Sequence, residues 1–125
     1  MRALIVDDSS FIREYSRRIL QRMGVTCEEA RDGQQALVAL SGTEHFDLML
    51  LDLNMPVMNG LECVRTLRET GLCPHTKVMM VTTDGNPSVI HRALEYGADE
   101  FLMKPFTPEG LREKMSILGL AAVAV

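Results

Sequence analysis

Short apolar runs alternate along this chain with stretches in which apolar residues recur three or four positions apart, a pattern that predicts strands alternating with helices. Ala3-Leu4-Ile5-Val6 reads as a buried strand and ends in Asp7-Asp8. Ser9-Ser10 then offers a helix cap, Ile12, Tyr15, Ile19 and Met23 mark a helical stripe, and Gly24 stops it. Val25 to Ala30 is half polar, as suits a strand at a sheet edge, and Asp32-Gly33 opens a second helix through Ala36, Leu37 and Leu40 to Gly42. Leu48-Met49-Leu50-Leu51 shows no period-2 alternation, so this third strand is expected to be buried on both faces and to deliver Asp52 to its carboxyl end. The Pro and Asn-Gly of the segment from Asn54 to Gly60 are turn residues, and a helix follows from about Leu61 through Val64 and Leu67 to Gly71. Lys77 to Thr82 repeats the design of an apolar run closed by a polar residue. Asn86-Pro87 begins a fourth helix with a stripe of Val89, Ile90, Ala93 and Leu94 up to Gly97. Phe101-Leu102-Met103 is a last short strand before Lys104-Pro105, and Leu111, Met115 and Leu118 mark the last helix.

Five such β–α units with short connections imply an α/β domain. Its parallel sheet is covered by helices on both faces and joined by right-handed crossovers. The strands of such a sheet end along one edge, where ligands bind in open α/β folds. That edge receives Asp7, Asp8, Asp52, Thr82 and Lys104. The length of 125 residues suits one domain with a sizeable core. A formal net charge of −4 argues against binding a phosphate backbone, which calls for a basic face. No apolar run is long enough for a membrane span or a signal peptide, so a cytoplasmic protein is expected. Cys27, Cys63 and Cys73 lack CxxC spacing and read as reduced packing residues, while His45, His75 and His91 share no metal-ligand spacing. Met79, Met80, Met103 and Met115 read as core filler. The single domain is expected over residues 1–120, with 121–125 a short apolar tail.

Three carboxylates crowded at one edge repel one another unless a cation joins them, so Asp7, Asp8 and Asp52 predict a metal. Hard oxygen donors with room for water favour Mg²⁺. The charges of three acids, a divalent ion and Lys104 then cancel, leaving a site able to accept an anionic phosphoryl group.

This ordered set is Asp7-Asp8, Asp52 followed by Asn54-Met55-Pro56 and Gly60, Thr82, and Lys104-Pro105-Phe106. It resembles the receiver domain of bacterial two-component response regulators, most closely the single-domain chemotaxis members, from Arg2 to about Leu118. The resemblance, and not the residue pattern, implies a flavodoxin-like sheet of order 2-1-3-4-5 with five helices. It implies that Asp52 is the phosphoacceptor, taking a phosphoryl group from a sensor histidine kinase, a phosphotransfer protein or a small phosphodonor as an acyl phosphate. Asp8, Asp52 and the backbone carbonyl of Asn54 would hold Mg²⁺ directly and Asp7 through water. Lys104 and Thr82 would contact the phosphoryl oxygens, Thr82 and Phe101 would be the switch pair, and Asn54 and Asp84 would tune the water that ends the signal. The bond before Pro105 would be cis. Phe101 stands where the family often has Tyr, and Thr83 is bulkier than the small residue common there, which bears on phosphodonor access. A protein so built catalyses its own phosphorylation and dephosphorylation but is mainly a switch. It would be a monomer or a weak phosphorylation-dependent dimer, signalling to a protein target through the face of the fourth helix, fifth strand and fifth helix.

Other classes fit less well. A flavin module would want a phosphate-cradling loop where Asp7-Asp8 stands. An Asp-nucleophile phosphohydrolase would want a second Asp at position 54, which is Asn. A phosphorylation-independent interaction module would normally lack one of the acids, the Thr or the Lys. The remaining alternative is a receiver segment of a larger response regulator or hybrid kinase.

Overall fold

The computed structural model describes residues 1–120, and the apolar tail expected at 121–125 lies outside them. The strands are β1 (Arg2–Val6), β2 (Thr26–Ala30), β3 (Leu48–Asp52), β4 (Lys77–Thr82) and β5 (Glu100–Met103). The helices are α1 (Ser10–Arg22), α2 (Gly33–Leu40), α3 (Gly60–Glu69), α4 (Pro87–Glu95) and α5 (Pro108–Ile117). All strand pairs are parallel and the order is β2-β1-β3-β4-β5, the doubly wound, flavodoxin-like arrangement.

Successive residues of the central strands feed opposite layers. Leu4, Val6, Met49, Leu51, Val78 and Met80 pack into a core with Cys63, Val64 and Leu67 of α3 and with Ala36 and Leu40 of α2. Ala3, Ile5, Leu48, Leu50, Met79 and Val81 pack into the other, with Ile19 and Leu20 of α1 and Leu111 and Met115 of α5. Both faces are therefore apolar, which is why the third strand shows no alternation: all five of its residues are buried. Asp52 belongs to this fully buried strand and inherits its rigidity.

Helix starts follow the capping chemistry. Ser9 accepts from the Ile12 amide, Asp32 from Gln35, and Asn59 and Glu62 form a reciprocal capping box at α3.

Three expectations need correction. Of the expected α1 stripe, Ile19 and Met23 are buried, with Ser16 and Leu20 beside them, but Ile12 is half-buried and Tyr15 is 37% exposed. Tyr15 rides at its border, where its hydroxyl donates to the Phe106 carbonyl at 2.6 Å and its ring meets Phe106 edge-on at 5.4 Å. A phenol keeps its polar end at a wet boundary, so the position is apolar in sequence but not in the core. In α4 only Ala93 is buried; Val89 and Ile90 are half-buried and Leu94 is 45% exposed. The sheet beneath ends with the short β5, so a full apolar stripe has nothing to lie on. Met103 is 39% exposed rather than core filler, because it stands at the end of the edge strand and lines a surface groove. The three cysteines are, as expected, free thiols packed in or against the cores; burial pushes Cys63 up to about 12, and Cys73 is half-buried with a left-handed backbone (φ 51°).

Candidate functional site

β3, in the middle of the sheet, ends on Asp52, and β1 beside it leads directly into Asp7 and Asp8. Carboxylate oxygens of the three lie within 4.8 Å of one another. Asp7 and Asp52 are buried, whereas Asp8 is exposed and carries no hydrogen bond among the described residues. Lys104, just past β5, reaches over β4 to place its ammonium 2.7 Å from Asp7 Oδ2 and 3.1 Å from Asp52 Oδ1. Its own amide donates to the Thr82 carbonyl at 2.8 Å, and the Lys104–Pro105 bond is cis. The five strand-end residues expected from the sequence therefore share one edge. Asn54 follows on the exposed β3–α3 loop.

Burial first, and the neighbouring Asp7 charge second, hold the Asp52 carboxyl above its ordinary value; Lys104 offsets only part of this. Burial opposes the Lys104 ammonium too, but its hydrogen bond to Asp7 and the charge of Asp52 outweigh that and raise its pKa. The cluster is thus an excess of negative charge with one cation at its side. Its donor set, three hard carboxylate oxygens converging on one point with one of them open to solvent, fits a divalent metal.

The surrounding loops hold these groups in place. Asp7 Oδ1 accepts from the Ser9 amide at 2.9 Å, and Arg13 donates to the Asp7 carbonyl at 2.6 Å while pairing with Glu29. These two supports were not legible in the sequence, where Ser9 and Arg13 are ordinary polar residues at the start of a helix. After Asp52 the chain turns so tightly that Gly60 donates to the Leu53 carbonyl at 2.9 Å, and a Cβ at Gly60 would collide with the Asp52 carbonyl oxygen. Gly33 is bound the same way: its amide donates to Met58 at 3.1 Å, and a Cβ there would meet Met58 at 2.8 Å. The Asn-Gly signal identified the first of these close approaches as a turn; nothing local marked the second.

Thr82 is buried at the end of β4, its hydroxyl accepting from the Asp84 amide at 2.9 Å. Behind it a void of about 10 Å³ is bounded by Leu53, Met80, Ala93, Ile90 and Phe101. Phe101 separates this void from a shallow outer groove of about 360 Å³ that Met103 and Lys114 also line. The Lys114 ammonium lies 5.3 Å from the ring centroid and 3.3 Å from Glu100. A groove of about 670 Å³ between α1 and α5 holds none of the strand-end residues, so it is separate from the chemistry.

A buried carboxylate at the carboxyl end of the central parallel strand, flanked by two acids, a hydroxyl and a lysine, defines a receiver-type site. The sequence profile of the response regulator receiver domain matches residues 3–116, and the chain belongs to that family. It is 38% identical over 121 residues to a chemotaxis protein CheY homolog of Campylobacter jejuni, covering 95% of this chain and 93% of that one. Against chemotaxis protein CheY1 of Helicobacter pylori the figures are 34% over 119 residues, 94% and 96%. Among solved structures, chemotaxis protein CheY4 of Vibrio cholerae superposes with a TM-score of 0.86 at 36% identity, over 93% of this chain and 96% of that one. A probable two-component system response regulator/GGDEF domain protein also gives 0.86, at 30% identity, over 96% of this chain but 50% of its own. Receiver domains are phosphorylated on aspartate and partner histidine kinases. No helix among the described residues is long and apolar enough to cross a membrane.

Proposed function

We propose that the protein is a cytoplasmic, chemotaxis-type signalling switch phosphorylated on Asp52. The observation that carries this is the Asp52 carboxylate, buried beside Asp7 and Asp8 with a lysine ammonium 3.1 Å from its oxygen. An Asp52 oxygen attacks the phosphorus of a phosphohistidine or of a small phosphodonor; the P–N or P–O bond breaks with its electron pair leaving on the donor, and an acyl phosphate forms. Burial raises the carboxyl's pKa, and it is the ionised carboxylate that acts as the nucleophile. Lys104 is held against both buried acids and turns its charge to the incoming phosphoryl oxygens.

Asp8, Asp52 and the Asn54 carbonyl would hold Mg²⁺, with Asp7 contributing through water. Both Asp7 oxygens already have partners, Ser9 and Lys104, whereas Asp8 is open to solvent, which supports this division. When bound, Mg²⁺ supplies the positive charge that lets an anion approach three carboxylates. Asn54 and Asp84 flank the site on loops and are small enough to admit the water that ends the signal. Output leaves through α4, β5 and α5. The Thr82 hydroxyl turns toward the phosphoryl group, the void beneath α4 opens, and Phe101 moves into it, changing the surface around Ile90, Leu94 and Lys114. The protein acts as a monomer or a weak phosphorylation-dependent dimer. The two-fold greater length of the matched response regulator/GGDEF protein favours a second reading, the same switch as one module of a larger regulator.

Intact-mass measurement after incubation with acetyl phosphate tests the first step. One phosphoryl group is expected on the wild type with Mg²⁺ and none on Asp52→Asn; labelling that persists in the variant, or with the metal chelated, overturns the assignment.

A further inference from the structure

The β4–α4 connection is laced by hydrogen bonds between every second residue. The Asp84 amide donates to Thr82 Oγ1 at 2.9 Å, the Asn86 amide to Asp84 Oδ1 at 2.9 Å, and the Ser88 amide and hydroxyl to Asn86 Oδ1 at 3.0 and 2.9 Å. Asn86 is the cap of α4. A continuous series of side-chain acceptors thus runs from a buried hydroxyl at the sheet edge to the first turn of the helix.

The element at its far end is the one least fixed by packing. α4 buries only Ala93, and a small void of about 10 Å³ is lined jointly by its Val89, Ile90 and Ala93 and by Thr82 and Phe101. A hydroxyl has one proton to donate and lone pairs to accept with. The Asp84 amide occupies a lone pair, so the Thr82 proton is left to donate elsewhere. If the hydroxyl turns toward Asp52, the Asp84 amide either follows or loses its acceptor. By following, it draws the Asp84 carboxylate, the Asn86 amide bound to it and the helix cap.

We propose that Asp84 is a positioning residue that transmits displacement of the Thr82 hydroxyl to the amino end of α4, a route separate from the Phe101 ring. This rests on the reading of Asp52 as phosphoacceptor and Thr82 as its switch hydroxyl. It gives Asp84 a role distinct from tuning water access, and the two roles use different atoms: the relay needs an acceptor oxygen on residue 84, whatever its charge. An effector moves an equilibrium only through contacts that differ between two states, and the relay converts one such contact, at Thr82, into a displacement of the helix start.

Amide spectra recorded with and without beryllofluoride and Mg²⁺ test this, because a stable phosphoryl mimic removes any effect of phosphoryl lifetime. In Asp84→Ala the beryllofluoride-induced shifts of residues 87–93 should fall to well under half of the wild-type changes, while those of Phe101 and Leu102 persist. Asp84→Asn, which keeps the Oδ1 acceptor and drops the charge, should retain the wild-type response along α4. Full α4 shifts in Asp84→Ala overturn the relay, as does a loss in Asp84→Asn equal to that in Asp84→Ala. If instead the wild type shows no shifts around Asp52, the phosphoacceptor reading itself fails, and the relay with it.

Discussion

β3 and α4 are the two extremes of packing in this molecule. Every residue of β3 is buried, and the loop leaving it is pinned by backbone hydrogen bonds at Gly60 and Gly33. α4 buries one alanine, leaves Leu94 at the surface and lies over a small void. The difference separates two demands. Phosphoryl transfer is helped by groups held in fixed positions before the reaction, and a strand buried on both faces supplies that. A switch needs an element whose two positions differ little in free energy, and such elements come from the weakly packed end of a structure. On the proposed reading, with Asp52 as phosphoacceptor and α4 in the output face, rigidity at the one and looseness at the other are complementary.

The contrast can be broken by removing side chains from each region. Leu51→Ala should destabilise the fold most, by about 2–5 kcal/mol, since a fully buried leucine leaves a cavity that neighbouring strands cannot close. Leu94→Ala, the same change on the exposed side of α4, should stay within about 0.5 kcal/mol. Urea unfolding of both variants measures the difference, and equal losses would mean that α4 is as firmly packed as the sheet.

Gly60→Ala comes next. Its added methyl meets the Asp52 carbonyl, the Met80 methyl and the Leu53 backbone, and a backbone cannot move aside as a flexible side chain does. A loss of about 1–3 kcal/mol is expected, with slowed labelling by acetyl phosphate because Asp52 itself is displaced. Normal labelling at unchanged stability would show that the loop is not the clamp inferred here.

The smallest effect, and one of opposite sign, concerns charge. Burial and Asp7 raise the Asp52 pKa, so folding favours its neutral form. That contribution is fully present below the unfolded value, near 3.8, and is lost as pH rises through the folded one. Metal-free Asp52→Asn should therefore melt a few degrees above metal-free wild type at pH 7. The gain should vanish as pH falls toward 3.8. Mg²⁺ should stabilise the wild type and do little for the variant. Differential scanning calorimetry with and without a chelator checks all three; a variant that melts lower at pH 7 would show that the Lys104 ion pair outweighs burial and repulsion.

The alternation of apolar runs and helical stripes was enough to determine ten elements in the right order and to put Asp7, Asp8, Asp52, Thr82 and Lys104 at strand ends, because period and punctuation are local properties. The pattern did not determine the strand order, which came from family resemblance, nor the depth of each stripe. Tyr15, Leu94 and Met103 are apolar by type, yet their burial depends on what lies opposite, and only the assembled sheet decides that. The same holds for the Lys104 ammonium, 97 residues from Asp7 along the chain and 2.7 Å from it in space. It holds for Gly33 against Met58 and for the Asn86 cap tied through Asp84 to Thr82. Residue type sets what a side chain can do, but distances between elements arise from the packing of both cores at once, and no window of sequence contains them.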